Sequence, residues 1–214
     1  MNLFSNMEMK LLPILADMEI RGIHLNKAAL KEYSGELSTE IAAKEEEIYR
    51  VAGHKFNIAS TKQLQSVLFE EQALIPGKKT KRGYSTDTAV LEELAERTEN
   101  PLPAAILDYR SYTKLQSTYV ETLPMLADKD GRVHPSFVQT GTATGRLSSR
   151  DPNLQNIPTR MEIGKQLRKV FKAEKENIIF CCFSSKSIVF LKKYINFAPK
   201  IEKYVILIFI RISI

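Results

Sequence analysis

Apolar residues recur at helical spacing along residues 6–18, where Met7, Leu11, Leu12, Ile14, Leu15 and Met18 predict a helix that stops before Gly22. Asn26 is placed to cap a second helix running to about Val51. That helix carries Leu30, Leu37, Ile41 and Ile48 on one side, turns Glu45, Glu46 and Glu47 outward, and ends at Gly53. Residues 56–59 read as a short extended link, after which Ser60 and Gln63 form a capping-box pattern opening a helix to about Ala73. Pro76 and Gly77 close it. Ser85 or Thr86 is expected to cap the next helix, which bears Val90, Leu91 and Leu94. Pro101 and Pro103 introduce a long helix from about Ala104 to Met125, with Tyr112, Leu115, Tyr119 and Leu123 on one face and Arg110 and Lys114 stacked on another.

The texture changes at residues 128–131. Residues 132–138 alternate as a strand after a turn signal, and the stretch to Pro158 is rich in Thr, Ser, Gly, Asn and Pro, as in shaped loops. A short helical turn around residues 165–171 and a strand starting at Ile178 follow. Helices first and strands later predict an α+β fold, with a boundary near residue 128.

Composition narrows the class. The chain has 214 residues, 43% of them hydrophobic and only nine each Gly and Pro, which excludes a disordered or collagen-like chain. The two cysteines, Cys181 and Cys182, are adjacent and cannot staple distant segments, so a reducing, cytoplasmic compartment is expected. No basic and apolar leader opens the chain, and no apolar run reaches the roughly 18 residues a membrane span needs. No membrane partner is expected.

The net charge of +6 becomes informative once it is located. Residues 1–77 and 83–130 are acidic, whereas Lys78, Lys79, Lys81 and Arg82 form a basic island in a loop, and residues 131–172 form a second basic region. The last 37 residues hold six basic residues and one acidic one. Placement of charge, rather than its total, points to a polyanionic partner.

Residues 142–158 read Thr-Ala-Thr-Gly-Arg-Leu-Ser-Ser-Arg-Asp-Pro-Asn-Leu-Gln-Asn-Ile-Pro. The Arg146 guanidinium and three carboxamides, Asn153, Gln155 and Asn156, fall within a dozen positions. Arginine donates from a rigid fork and amides both donate and accept, a set suited to the acceptor-rich floor of a DNA minor groove. Asn and Ser that satisfy their own backbone in a loop are the simpler reading of the same residues.

The string resembles, nearly letter for letter, the signature of bacterial family A DNA polymerases of the DNA polymerase I type. Residues 9–22, 56–64, 83–86 and 109–119 resemble that family's thumb in the right order, and residues 168–171 and 177–179 resemble the start of its palm. The resemblance covers about residues 4–179. It implies a mostly helical thumb subdomain over 1–127, the start of an incomplete antiparallel-sheet palm over 128–179, and a divergent tail over 180–214. It further implies that Arg146 contacts the minor groove at the primer-terminal pair, with Asn153, Gln155 and Asn156 on the nearby duplex and template. Arg110 and Lys114 would meet the DNA backbone, and Lys78, Lys79, Lys81 and Arg82 would form a thumb tip tracking phosphates. Arg160 and Arg168 divide evenly between phosphate contact and surface charge. The implied partner is primer-template DNA, and the implied activity of the intact family is template-dependent deoxynucleotide addition.

The resemblance breaks after Ile179. Where the family has an Asp-Tyr-Ser motif binding two magnesium ions, residues 180–187 read Phe-Cys-Cys-Phe-Ser-Ser-Lys-Ser, and no carboxylate follows until Glu202. Magnesium needs hard oxygen ligands that Cys and Ser do not supply. The chain is therefore expected to hold no catalytic residue and no metal or other cofactor. The last 37 residues hold ten Ile and five Phe, and the divergent tail within them is read either as an out-of-frame translation or as a genuine C-terminus. His24, His54 and His134 show no metal-ligand spacing. The rival functional reading is a stand-alone, non-enzymatic nucleic-acid-binding or regulatory protein that reuses the thumb.

Overall fold

The computed structural model describes residues 4–77, 79–80, 83–143, 146–157, 162–172, 178–179 and 204–205. These fall into two compact units, one of residues 34–117 and one of residues 1–33 with 118–214. No helix among the described residues is long and apolar enough to cross a membrane.

The second of these units begins with a π-helical turn, Phe4–Glu8, leading into helix α1 (Met9–Arg21), which buries Leu11 and Leu15. Gly22 then turns the chain with φ +60°, and a Cβ there would lie 2.7 Å from the His134 ring, so only glycine fits. The next three residues form strand β1 (Ile23–Leu25), which the hydrophobic pattern did not predict. Strand β4 (Arg132–Val133) and strand β7 (Phe171–Lys172) flank it in an antiparallel sheet of order β4-β1-β7. Ile23, Leu25, Val133 and Phe171 are buried on one face, and His24, Arg132 and Lys172 alternate to the other. The Leu25 N–H donates to Gly131 O and the Asn26 N–H to Val170 O, fixing both neighbours.

The strand expected over 132–138 is two strands. Its second half, β5 (Ser136–Val138), leaves the sheet and pairs with β6 (Ser148–Arg150) in a separate antiparallel ribbon. The turn expected near 165–171 is helix α7 (Glu162–Gln166) with a 3₁₀ turn Leu167–Val170, and Phe171 already belongs to β7. Strand β8 (Ile178–Ile179) pairs with β9 (Tyr204–Val205) in parallel, unlike the other strand pairs among the described residues. The rest of the divergent tail lies outside the described residues.

Helix α2 (Lys27–Ala52) starts where Asn26 accepts the Ala29 N–H on its side chain at 3.2 Å, as the sequence predicts. Leu30, Leu37 and Ile48 are buried and Ile41 is half-buried. Of the three glutamates read as facing outward, Glu47 pairs with Lys44 at 3.1 Å and Glu45 accepts from Tyr49 OH at 3.4 Å.

Within residues 34–117 the capping box is half formed. Ser60 Oγ accepts from Gln63 N, but the Gln63 side chain takes the Asn57 N–H instead of closing back on Ser60. Helix α3 (Thr61–Gln65) widens into a π-helical segment, Ser66–Glu71. Strands β2 (Lys79–Thr80) and β3 (Gly83–Tyr84) make a hairpin, then helices α4 (Thr88–Arg97) and α5 (Leu102–Leu115) complete the unit. Ile48, Leu64, Leu68, Leu91, Leu94, Leu102 and Ile106 form its core. Lys44 reaches Asp108 at 3.0 Å, tying α2 to α5, and that hydrogen bond raises the Lys44 pKa against the cost of desolvation.

Two boundaries differ from expectation. The helix predicted over 104–125 ends as α5 at Leu115, passes through a π-helical turn Gln116–Val120, and resumes as α6 (Leu123–Leu126). Helix α4 is capped by Asp87, whose carboxylate accepts the Val90 N–H at 3.0 Å, rather than by Ser85 or Thr86. Ser85 Oγ instead accepts the Asp87 N–H at 3.2 Å, and Thr86 is buried. Asp87→Ala is therefore expected to lower the unfolding free energy by about 1 kcal/mol, and Ser85→Ala by less. Urea denaturation of the two variants measures this, and equal losses would contradict Asp87 as the cap.

Candidate nucleic-acid interface

The signature segment is built on the β5–β6 ribbon. Three register pairs, Ser136 with Arg150, Phe137 with Ser149 and Val138 with Ser148, hold residues 148–150 extended, and the side chains alternate. Ser149 faces inward, buried, with Oγ donating to Pro152 O at 3.1 Å, while Arg150 is exposed. Asp151 takes φ +55°, and the chain turns into a 3₁₀ turn, Leu154–Asn156. Asn153 caps this turn, its Oδ1 accepting the Gln155 N–H at 3.1 Å. Leu154 and Ile157 plug into the core at 2% exposure each, which fixes the turn from below. Tyr119 donates its hydroxyl to Asn153 O at 3.2 Å.

This scaffold decides what each polar side chain can do. Asn156 is exposed. The Asn153 side chain spends its oxygen on the cap. Arg146 is half-buried, and its backbone carbonyl accepts from Thr142 Oγ1 at 2.8 Å, holding the preceding loop. Arg146 Nε and Gln155 Nε2 are both buried and find no hydrogen-bond partner among the described residues. A buried donor without a partner costs about 1–3 kcal/mol, so each calls for an explanation such as a water, an ion or a ligand. Thr144 and Gly145 of the signature, and Arg160, lie outside the described residues. Arg168 is half-buried on the 3₁₀ turn before β7.

The other candidates belong to residues 34–117. Arg110 and Lys114 both lie on α5, but their surroundings differ. Arg110 is half-buried; its Nη1 donates to Thr86 O, and its Nη2 lies 3.4 Å from Thr86 Oγ1. Burial pulls its guanidinium below the ordinary value, and Asp87 opposes that. It thus braces the residue that precedes the α4 cap. Lys114 is exposed, with its ammonium available to solvent. The pattern of cations one turn apart could not separate these roles, because desolvation depends on what packs over a residue.

Of the basic island, Lys78, Lys81 and Arg82 lie outside the described residues, and Lys79 is placed by its backbone in β2. The hairpin that carries them has a defined root. Gln65 Nε2 donates to Tyr84 O at 2.6 Å, and the Phe69 and Tyr84 rings meet edge to face at 5.5 Å. Gly83 has φ +120°, and a Cβ there would come within 2.6 Å of Gln65 Oε1. The root of the loop read as merely exposed is thus held by Gln65 at the end of α3 and Phe69 of the π-helical segment, side chains the sequence reading did not single out.

Two of the histidines have partners, His134 Nδ1 donating to Glu19 O at 2.7 Å and His54 Nε2 lying 2.7 Å from Glu71, while His24 Nδ1 is buried with none among the described residues. Among the described residues no group of three His, Cys, Asp or Glu side chains is placed to hold a metal ion. The donor set does not fit the magnesium pair implied by the resemblance, and residues 180–187, where its ligands would stand, lie outside the described residues.

With this geometry in hand, comparison with known proteins is specific. The sequence matches the family model for DNA polymerase family A over residues 27–188. It is 53% identical over 173 residues to DNA polymerase I of Treponema pallidum, covering 81% of this chain and 17% of that protein. It is 48% identical over 176 residues to the thermostable DNA polymerase I of Thermus aquaticus, covering 81% of this chain and 21% of the relative. The chain therefore spans about one fifth of the length of the curated relatives it matches. Among solved structures it is similar to the POL domain of Pol1 from M. smegmatis in complex with DNA primer-template and dNTP. The TM-score is 0.72 and the identity 42%, over 82% of this chain and 31% of that one.

The contrast between the two α5 cations is testable in the protein alone. Arg110→Ala should cost about 1–3 kcal/mol of stability through the stranded Thr86 acceptors, while Lys114→Ala should stay within about 0.5 kcal/mol. Urea melts of both variants decide it, and a stable Arg110→Ala protein would return Arg110 to a purely surface role.

Proposed function

The chain belongs to DNA polymerase family A, and from that premise we propose that it binds primer-template DNA through the minor groove without adding nucleotides itself. The observation that carries the reading is the pair of buried, unpartnered donors, Arg146 Nε and Gln155 Nε2, within one signature segment. The minor groove presents N3 of purines and O2 of pyrimidines at every correct pair, so donors fixed at that spacing check duplex shape without reading sequence. The M. smegmatis domain in complex with DNA primer-template and dNTP supports the same partner. Asn153 and Asn156 complete the polar edge of the segment. Lys114, the basic hairpin tip at 78–82 and Arg110, through the donors it does not spend on Thr86, supply attraction to phosphate that is independent of sequence.

In the intact family this thumb and early palm would serve template-dependent deoxynucleotide addition in DNA replication and repair, a cytoplasmic role in a bacterium. In this chain the 1–127 and 128–179 regions keep the DNA-holding parts. The carboxylates that would direct the chemistry have no counterpart in residues 180–187.

Three measurements test the proposal. Affinity for primer-template DNA should fall steeply between about 50 and 200 mM salt, as phosphate contacts release counterions; an affinity that does not move would contradict it. Arg146→Ala should weaken primer-template binding about tenfold, the value of one charge-assisted hydrogen bond, with a smaller loss on plain duplex. Equal losses would argue against a role at the primer terminus. Primer extension with magnesium should give no product above background, and incorporation by the purified chain would refute the non-catalytic reading.

A further inference from the structure

We propose that Tyr119 is a positioning residue whose hydroxyl, through the Asn153 carbonyl, sets the orientation in which Gln155 meets DNA. The inference rests on the reading of Gln155 as a DNA contact and adds to it a residue that touches no DNA.

Tyr119 lies in the π-helical turn Gln116–Val120. A π turn adds a residue to the helical repeat and re-aims the side chains after it, a device found often at functional sites. Here the ring is packed into the core at 3% exposure while the hydroxyl emerges at Asn153 O, 3.2 Å away. Burial pushes the phenol up to about 12, so it remains a neutral donor throughout the physiological range.

The target of that donor matters. Asn153 is held twice: its carbonyl accepts from Tyr119, and its own Oδ1 accepts the Gln155 N–H at 3.1 Å. The two bonds fix the peptide planes on either side of Leu154, which is itself buried at 2%. Gln155 leaves the turn directly after these two restrained planes, its Nε2 buried and without a partner among the described residues. A phenylalanine at 119 would fill the same volume and leave the Asn153 carbonyl without that donor. A tyrosine in so apolar a site is costly unless its hydroxyl is used, and the use it has is this carbonyl.

The test is a double-mutant cycle of Tyr119→Phe and Gln155→Ala in the full chain, read by primer-template affinity, with hydrogen exchange of residues 153–157 measured in the free protein. Tyr119→Phe is expected to speed exchange in that turn and leave residues 34–117 protected. It should weaken primer-template binding about three- to tenfold, with the salt slope unchanged because no phosphate contact is lost. In the Gln155→Ala background the same substitution should have no further effect on affinity. An additive effect in the cycle overturns the proposal, as does unchanged exchange in the turn. Wild-type protein that binds primer-template DNA while Tyr119→Phe binds equally well overturns this inference alone. Wild-type protein with no affinity for primer-template DNA overturns the functional reading as well.

Discussion

Strand β1 is the constraint on which the unit bearing the signature depends. Three residues, Ile23 to Leu25, pair with Arg132 and Val133 on one side and with Phe171 and Lys172 on the other. The Arg132 guanidinium reinforces the closure by donating to Arg21 O at 2.9 Å across 111 residues of chain. Without β1, β4 and β7 would be edges with no shared neighbour, and the buried face made by Ile23, Leu25, Val133 and Phe171 would open to water. The β5–β6 ribbon leaves this sheet after only His134 and Pro135, so the sheet's closure sets where the signature begins. Helix α1 and the π-helical turn before it add to the same restraint, since Glu19 Oε1 accepts the Phe137 N–H and Gln139 Nε2 donates to Glu8 O at 3.0 Å.

Much of this architecture was legible in the sequence, and the parts that were not share a cause. Helix α2 could be read because its cap, its apolar period and its terminating glycine are all local, and Asn26, Leu37 and Gly53 do what their positions suggest. Strand β1 could not, because three residues carry too little alternation and the partners that make them a strand are far along the chain. The break of the long helix at residues 116–122 was hidden for a similar reason. Its apolar positions continue through Tyr119 and Leu123, both buried, so the hydrophobic pattern persists while the backbone changes repeat. The cap of α4 fell to Asp87 because Thr86, the apparent cap, is buried and accepts from Arg110.

The signature shows the same division. Its chemistry was evident in residue types, since a guanidinium and three amides in one segment are unusual and match a family string. What the string did not reveal is which of those groups are spent internally. Asn153 caps a turn and Arg110 braces a loop, whereas Arg146 Nε and Gln155 Nε2 are left without partners among the described residues. That sorting depends on packing, and it assigns to Tyr119 a part that its place on an apolar face did not suggest.

The two kinds of candidate contact also differ in how they are held, and the physics explains why. Attraction to phosphate tolerates loose geometry, because charge acts over about a Debye length of 8–10 Å at ordinary salt; an exposed Lys114 or a hairpin tip suffices. Minor-groove hydrogen bonds weaken steeply once donor and acceptor are a few tenths of an ångström out of place. Of the donors that would make them, Gln155 stands on a capped turn and Arg146 just before a ribbon strand, on a scaffold sealed by Leu154, Ile157, Ser149 and Tyr119, all buried. The rigid part of the interface is therefore the part where small displacements matter, and its rigidity comes from neutral hydrogen bonds that salt does not screen.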